Sequence, residues 1–277
     1  WAVCSDQVGY VCNSCLDSKR SRLPIRCTCG SRYCSVKCQE EDAERHDHEC
    51  KELALVTQLA KKLGSPDDMA IFDPAAVARL VVAADVRRKF EDGDNWLAVL
   101  RLCTNRDTMP SDVLCAMRKI ASVLIGGIPT FGLSEDEVVD LLCRHECNSF
   151  GYWDSCNEMV AFGLFPTAGF FNHTCRPNLC KMRTPSRALT FRSLAAVPLG
   201  GEVCISYAHS DASPAQVIDL VQKCFHFVCR CGVCTSTSPE GRQGDVWWQP
   251  RGCGCGGWLV PDKDSSVCSI CSRRTPS

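Results

Sequence analysis

The sequence predicts a mixed α+β protein that depends on bound zinc. Three observations lead to this prediction. Cysteine makes up 24 of the 277 residues, mostly in closely spaced groups. Apolar side chains recur at helical spacing between about residues 51 and 145, and from residue 146 onward the pattern changes to short strands and turns.

The composition restricts the classes of protein to consider. Lysine and arginine together number 31 against 32 aspartates and glutamates, so the formal net charge is −1, which argues against a histone-like or ribosomal protein. With 45% hydrophobic residues the chain can bury a core. The longest uncharged apolar runs, such as Ile120–Ile128, are shorter than the roughly 20 residues that cross a bilayer, so no membrane span is predicted.

The cysteine spacing favours zinc sites over disulfides. Close neighbours on one turn are poorly placed to bond each other, whereas one short loop can deliver two thiolates to a tetrahedral ion. The close groups are Cys12/Cys15, Cys27/Cys29, Cys34/Cys38, Cys229/Cys231/Cys234, Cys253/Cys255 and Cys268/Cys271. Zinc sites of this kind indicate a reducing compartment, so we expect the protein in the cytoplasm, the nucleus or both.

Residues 12–50 hold eight potential ligands, enough for two four-ligand sites. So short a segment cannot bury a large core, so metal must supply its folding free energy. The eight ligands are Cys12, Cys15, Cys27, Cys29, Cys34, Cys38, His46 and Cys50. His48 competes with His46, which fits the spacing better, and the alternative for His46 is a solvated helix residue.

The segment 51–145 is predicted to be helical. A first helix carries Leu53 to Leu63 and ends at Gly64-Ser65-Pro66, and a second starts at Asp73-Pro74. Further helices are predicted at Trp96–Cys103, Val113–Ile125 and Val138–Leu142, the last after a Ser134/Glu137 capping box. Cys103 and Cys115 stand alone and are expected to be buried thiols.

Three motifs follow in the part of the chain where strands are predicted, at Asn157–Phe162, Ala188–Arg192 and Val203–Tyr207. The motifs are FNHTCRPN at residues 171–178, GEVCISY at 201–207 and FVCRCGVC at 227–234. Their order and spacing resemble a SET methyltransferase domain with post-SET cysteines. Upstream, YCSVKCQEEDAERHDHEC at residues 33–50 resembles a MYND zinc finger. Together they resemble the SMYD family over nearly the whole chain.

The resemblance implies a SET-domain β-clip interrupted by a MYND finger and a helical insert, with a post-SET zinc site and a C-terminal zinc-ribbon-like module. The implied divisions are a remnant of the N-terminal SET half at 1–11, the finger at 12–50, the insert at 51–145, the SET core at 146–208, the post-SET segment at 209–234, and a linker with the ribbon-like module at 235–277. Because the chain begins at Trp1 and shows no Gly-x-Gly strand before Cys12, we expect truncation rather than evolutionary loss.

The resemblance also implies four zinc ions. It assigns Cys12, Cys15, Cys34 and Cys38 to one ion of the finger, and Cys27, Cys29, His46 and Cys50 to the other. It assigns Cys175 to the post-SET ion with Cys229, Cys231 and Cys234, where Cys224 is the alternative fourth ligand. The ribbon-like module would hold the fourth ion on Cys253, Cys255, Cys268 and Cys271. Cys27-x-Cys29 is one residue shorter than the usual family spacing.

The activity implied is S-adenosylmethionine-dependent methylation of a histone or non-histone lysine. Tyr207 matches the catalytic tyrosine, which also contacts the cofactor. Asn172 and His173 match the cofactor-binding segment, and Phe227 an aromatic that packs on adenine. Phe150 matches a channel-wall aromatic.

Three further expectations accompany the resemblance. Glu202 would fix the Gly200–Gly201 turn and the loop threaded beside it. Phe225 would also line the substrate channel, where many family members carry tyrosine, and its missing hydroxyl would alter the number of methyl groups added or weaken catalysis. The MYND finger would bind proline-rich peptides or only support its neighbours.

A rival hypothesis is a non-catalytic zinc adaptor with a degenerate SET domain and a peptide-binding finger. Phe225 and the absent Gly-x-Gly segment favour it, whereas Asn172, His173 and Tyr207 favour the enzyme. A DNA-tethered regulator is a weaker hypothesis. Ionised thiols on zinc make the chain more acidic than its formal charge, so direct DNA binding is not expected. We expect a monomer.

Overall fold

The predicted mixture of helix and strand is confirmed by the computed structural model. The structure describes residues 1–19, 21–64, 71–91, 93–154, 158–182, 188–194, 196–208, 214–235, 253–255, 259–262 and 265–276. These residues form two units, one from Trp1 to Gly169 and one from Phe170 onward.

The first unit is mainly helical. Its helices are α1 (Val36–Leu63), α2 (Pro74–Phe90), α3 (Gly93–Leu100), α4 (Ser111–Gly127), α5 (Glu135–Asn148) and the short α6 (Pro166–Gly169). Single 3₁₀ turns lie at Ser5–Gln7 and Arg106–Thr108. Helix α1 ends at the predicted Gly64, whose φ of 85° permits the chain to leave the helix. It is continuous for 28 residues and crosses the predicted boundary between residues 50 and 51.

Helices α1, α2, α4 and α5 enclose the main hydrophobic core. On α4 the buried positions recur at helical spacing, so one face packs inward and the other meets water. Met117, Ile120 and Leu124 are fully buried on this face. Each such side chain contributes about 1.5–3 kcal/mol by leaving water.

Capping residues begin two of these helices as predicted. The Ser134 hydroxyl accepts from the backbone amide of Glu137, and the Glu137 carboxylate accepts from the backbone amide of Ser134, which completes the capping box. At the start of α2 the Asp73 carboxylate accepts from the Ala76 amide at 3.0 Å. It also accepts from the Ser5 amide and hydroxyl at 2.5 and 2.6 Å, so the same cap connects the N-terminal 3₁₀ turn to the bundle.

The strands of the first unit are short. They are β1 (Ala2–Val3), β2 (Ile25–Arg26), β3 (Arg32–Tyr33), β4 (Ser149–Trp153) and β5 (Met159–Leu164). They form an antiparallel sheet in the order β1-β5-β4 and a separate β2-β3 pair. Strand β5 covers most of the predicted Asn157–Phe162, although Asn157 lies outside the described residues.

The second unit contains β6 (Asn172–His173), β7 (Leu179–Met182), β8 (Thr190–Ser193), β9 (Cys204–Ile205), β10 (Leu259–Asp262), β11 (Ser265–Cys268), β12 (Arg274–Pro276), α7 (Pro214–Cys224) and α8 (Gly232–Thr235). Strands β6 and β9 pair in parallel, and the β7-β8 and β10-β11-β12 sheets are antiparallel. Val260 and Val267 of the last sheet pack against Cys180 and Leu194, so the C-terminal module shares a small core with the β7-β8 hairpin.

Cys103 and Cys115 contradict the expectation of buried thiols, because both are exposed. Cys103 lies in the loop after α3, which ends earlier than predicted, at Leu100. Cys115 lies on the solvent face of α4 with the exposed Arg118 and Lys119. Among the described residues, the helices are all too short or too polar to cross a membrane.

The core packing predicts a contrast between two neighbours on α4. Leu124 is fully buried and Ile125 is 44% exposed. Leu124→Ala should lower the free energy of unfolding by about 2–5 kcal/mol, because it removes buried methyl groups and leaves a cavity. Ile125→Ala should change it by about 0.5 kcal/mol or less. Urea denaturation of the zinc-loaded protein measures both, and equal losses would contradict the packing described for α4.

Candidate metal centres and active site

Four groups of potential metal ligands are assembled among the described residues. Within each group the ligand atoms lie within 4.8 Å of one another. The groups are Cys12, Cys15, Cys34 and Cys38; Cys27, Cys29, His46 and Cys50; Cys175, Cys229, Cys231 and Cys234; and Cys253, Cys255, Cys268 and Cys271. These are the four sets expected from the sequence and the resemblance. His48 instead stacks on Phe90 with ring centroids 4.3 Å apart, and Cys224 is exposed at the end of α7.

The first group joins a tight turn to the start of α1. Cys12 and Cys15 flank a turn closed by the Leu16 amide, which donates to the Cys12 carbonyl at 2.9 Å. Cys34 follows β3, and its Sγ lies 3.5 Å from that of Cys38. The Cys38 amide donates to the Ser35 hydroxyl, the N-cap of α1, so the helix start holds one ligand in place.

The second group joins the β2-β3 turn to a later part of α1. His46 and Cys50 are four residues apart on the helix and therefore share a face. His46 Nε2 lies 3.3 Å from Cys27 Sγ, and Cys50 Sγ lies 3.4 Å from Cys27 Sγ. The short Cys27-x-Cys29 spacing still delivers both thiols, because Gly30 adopts a φ of 98° and its amide donates to the Cys27 carbonyl.

A buried charge network lies behind the finger ligands, and the sequence analysis did not predict it. Arg45 binds Asp42, with Nε 2.8 Å from Oδ1, and also contacts Glu49. Arg87 of α2 donates to Glu49 at 3.2 Å. The Tyr33 hydroxyl donates to the Asp42 carboxylate at 3.0 Å. Burial and the charge of Asp42 both raise the pKa of this hydroxyl. Asp42, Arg45 and Glu49 all lie on α1, so the Arg87–Glu49 pair is the contact of this network that connects the finger helix to α2.

The third group connects β6 to the tail of the chain. Cys175 follows β6, and its Sγ lies 3.4 Å from that of Cys234. Cys229 and Cys231 precede α8, and Cys234 lies within it. Burial opposes ionisation of Cys231, but backbone hydrogen bonds from Cys175 and Cys234 outweigh it and lower its pKa to about 6. Four thiols within 4.8 Å of one another are a donor set typical of a structural zinc ion.

Four rings gather next to the third group. The Tyr207 ring lies 4.6 Å from Phe225 and 5.2 Å from His173, measured between centroids. Phe227 meets Tyr207 edge-on at 6.3 Å. The Tyr207 hydroxyl donates to the Phe171 carbonyl at 2.8 Å, which fixes its ring. The structure therefore brings together the predicted catalytic tyrosine, two cofactor-binding residues and one channel residue.

His173 is held in one state within this cluster. Its Nδ1 accepts from the Tyr207 amide at 3.1 Å, so the remaining ring proton belongs on Nε2. Burial lowers the pKa of His173 to about 4, so the ring is neutral at pH 7.

Asn172 and Glu202 meet across the β6-β9 pair. Asn172 Nδ2 donates to Glu202 Oε1 at 2.7 Å. The turn at Gly200 is closed by its own backbone, with the Gly201 amide donating to Pro198 at 2.9 Å, so the Glu202 carboxylate acts on the loop beside it. The Asn172–Glu202 contact joins residues 30 positions apart, and no pattern in the sequence indicates it.

The other predicted residues lie apart from this cluster in the chain. Phe150 is on β4 of the first unit, where it meets Phe165 edge-on with centroids 6.4 Å apart.

The fourth metal group forms a knuckle: the amides of Ile270 and Cys271 donate to Cys268 Sγ at 3.4 and 3.5 Å. Cys255 Sγ lies 3.4 Å from Cys268 Sγ.

No family model matches the chain. A SET and MYND domain-containing protein of Dictyostelium discoideum is 32% identical over 107 residues, which cover 38% of this chain and 26% of that protein. Histone-lysine N-methyltransferase ASHR1 of Arabidopsis thaliana is 23% identical over 255 residues, 86% of this chain and 50% of the relative. Histone-lysine N-methyltransferase SMYD3 of Mus musculus is 25% identical over 247 residues, which cover 83% of this chain and 54% of that relative.

The chain thus spans about half the length, or less, of these curated relatives. Relatives named as histone-lysine N-methyltransferases match most of the chain. The four groups of clustered cysteines follow the order expected for a MYND finger, a post-SET segment and a C-terminal zinc module. These similarities support membership of the chain in the SET and MYND domain-containing (SMYD) family.

Proposed function

We propose that this chain forms the catalytic part of an S-adenosylmethionine-dependent protein-lysine N-methyltransferase that acts on a histone or non-histone lysine. The observation that carries the proposal is the contact of Tyr207 with His173, beside a four-thiol group that joins their loop to the tail. Relatives that cover most of the chain are named as histone-lysine or N-lysine methyltransferases.

Four zinc ions fit the four ligand groups. Three groups are all-thiol and one has three thiols and an imidazole, which are the donor sets of structural zinc. Two ions would fold the MYND finger, the third would hold the post-SET tail on the Asn172–Cys175 loop, and the fourth would fold the C-terminal module. With four protein ligands each, these sites leave no open position for a reacting group.

The residues around Tyr207 fit the methyl donor. Phe227 offers an aromatic face for adenine, and Asn172 is exposed and polar. The neutral His173 follows Asn172 in β6, and its ring centroid lies 6.2 Å from that of Phe227. When bound, S-adenosylmethionine supplies a methyl group on a sulfonium centre that a neutral amine can attack.

The lysine that is methylated must reach the site without its proton, although its ordinary pKa is about 10.4. The rings of Tyr207 and Phe225 provide apolar surroundings that disfavour an ammonium ion and lower that pKa. The hydroxyl of Tyr207 already donates to Phe171, so its oxygen can accept from the amine and orient the lone pair. The channel-wall role of Phe150 is proposed on the resemblance alone.

We further propose that the finger binds proline-rich peptides, that the chain is a monomer, and that it works in the cytoplasm, the nucleus or both. A protein lysine is the substrate, and direct DNA binding is not part of the proposal. The adaptor hypothesis loses support because the relatives are named as enzymes. It predicts peptide binding without methyl transfer, which the first experiment below separates from catalysis.

Tyr207→Phe tests the catalytic proposal. Removing one hydroxyl that orients the reacting amine should lower methyl transfer about 100-fold or more, in line with the loss of one preorganised polar group elsewhere. The measurement is transfer of tritium from labelled S-adenosylmethionine to a lysine-containing peptide library. Affinity for the donor, measured by calorimetry, should change little.

Tyr10→Phe is the matched control, because Tyr10 lies in the first unit outside the aromatic cluster. It should transfer methyl groups at the wild-type rate. Full activity of Tyr207→Phe would contradict the catalytic role, and loss of donor binding would mean that Tyr207 mainly holds the cofactor. A wild-type chain that binds proline-rich peptide but transfers no methyl group would favour the adaptor.

Cys175→Ser should release one zinc ion per chain, because it removes one of four ligands from the third group. Cys224→Ser is the control: Cys224 is exposed and belongs to none of the assembled groups. Zinc is counted by mass spectrometry of the purified variants. Zinc loss from Cys224→Ser with full zinc in Cys175→Ser would reverse the assignment.

Strong chelation should unfold residues 12–50 before the helical bundle, because metal supplies most of the folding free energy of so short a module. Hydrogen exchange followed by mass spectrometry should show early loss of protection in this range. Peptides from α4, which contains no assigned ligand, should keep theirs. A finger that stays protected after complete zinc removal would contradict this account.

A further inference from the structure

The Glu202 carboxylate contacts side chains of β6 and β9. It accepts a hydrogen bond from Asn172 Nδ2 at 2.7 Å. It also contacts the Cys204 thiol. Burial and the nearby carboxylate of Glu202 both raise the pKa of that thiol. Glu202 and Asn172 are both exposed, so this contact lies on the face that a ligand would reach.

The contact fixes the orientation of the Asn172 amide. A carboxylate only accepts hydrogen bonds, so the Asn172 group that meets it must be the NH₂. The carboxamide oxygen of Asn172 is therefore the atom left for a ligand, and that ligand must donate. A charged acceptor on the NH₂ also polarises the amide, which strengthens the oxygen as an acceptor.

The loop does not depend on this side chain for its backbone position. Asn178 Nδ2 donates to the backbone carbonyl of Glu202 at 2.7 Å, and Asn178 Oδ1 accepts from the Cys204 amide at 2.8 Å. Asn172 and Cys204 also pair in the parallel β6-β9 ladder. These contacts survive any substitution of the Glu202 side chain, so its effect on a ligand can be separated from its effect on the fold.

We propose that Glu202 is a positioning residue for the methyl donor: it holds Asn172 so that the carboxamide oxygen accepts a hydrogen bond from the α-ammonium of S-adenosylmethionine. The ammonium is the strongest donor on that molecule, and the amide oxygen is the matching acceptor. This inference rests on the proposed function, because it assumes that the donor binds beside Asn172.

Two related compounds distinguish an effect of Glu202 on the orientation of Asn172 from simple attraction between Glu202 and a positively charged ligand. S-adenosylhomocysteine carries the same ammonium as S-adenosylmethionine but lacks the sulfonium charge. If Glu202 acts by orienting Asn172, Glu202→Ala should weaken both compounds by the same factor, about 2- to 10-fold for one hydrogen bond. Glu202→Gln keeps an acceptor oxygen and should weaken both less. A loss confined to S-adenosylmethionine, equal in both variants, would overturn orientation as the cause.

A double-mutant cycle tests whether Glu202 acts through Asn172. Donor affinity is measured by calorimetry for the zinc-loaded wild type, Asn172→Ala, Glu202→Ala and the double variant. We expect Glu202→Ala to have no further effect once Asn172 is alanine, because its target is gone. Additive losses would mean that Glu202 acts independently and would overturn the inference.

Glu44→Ala is the matched control, since it removes an exposed carboxylate of α1 in the first unit and changes the net charge equally. It should bind both compounds like the wild type. Zinc content and urea midpoints of all variants should be unchanged, which excludes unfolding as the cause of weaker binding.

The contact itself is measured without any cofactor. In protein labelled with ¹⁵N-asparagine, the Asn172 side-chain amide signals should shift in Glu202→Ala and stay in place in Glu44→Ala. Unshifted signals would overturn the positioning role of Glu202 and would leave the proposed function standing. A wild type that binds neither compound, while the amide signals shift as expected, would overturn the proposed function together with the cofactor role of Glu202.

Discussion

The second unit depends on one chemical constraint, the assembly of four thiols from Cys175 and the segment 229–234 within 4.8 Å. Thiolates at this spacing repel one another unless a cation lies among them. The elements around them are too small to hold them there: α8 has four residues, and β6 and β9 have two each. The core beneath them consists of Val217, Val221 and Cys229, with Tyr207, Phe225 and Phe227 packed on it. So small a core gains most from a metal ion, and zinc bound by these four thiols would also hold Phe225 and Phe227 beside Tyr207.

In the first unit a single helix contributes both to the potential metal-ligand groups and to a conventional hydrophobic core. Helix α1 carries Cys38, His46 and Cys50 in its first half, and its second half buries Leu53, Val56 and Leu59 in the bundle. The finger is therefore not a module joined by a flexible linker. Its ligands are placed by a helix whose other end the hydrophobic core stabilises, and the buried Arg45 network adds a polar connection between the two.

Much of this arrangement is readable from the sequence, and the exceptions have physical reasons. Cysteine spacing predicted the close ligand pairs, and the family resemblance assigned the finger ligands to two groups and added Cys175 to a third. Apolar periodicity with caps predicted the helices of the bundle. The start of α1 at Val36 was not predicted, because Asp42, Arg45 and Glu49 bury their charges against one another and leave no apolar period. The Asn172–Glu202 contact could not be predicted either, since strands of two residues have no pattern that would set their partner or register.

The most direct test of this account is a crystal structure of the zinc-loaded chain grown with S-adenosylhomocysteine. The account predicts anomalous zinc density among Cys175, Cys229, Cys231 and Cys234, and nucleoside density against Phe227 and His173 with the ammonium at Asn172. Nucleoside density at another place on the chain, or an ordered aromatic cluster around a metal-free third group, would contradict it.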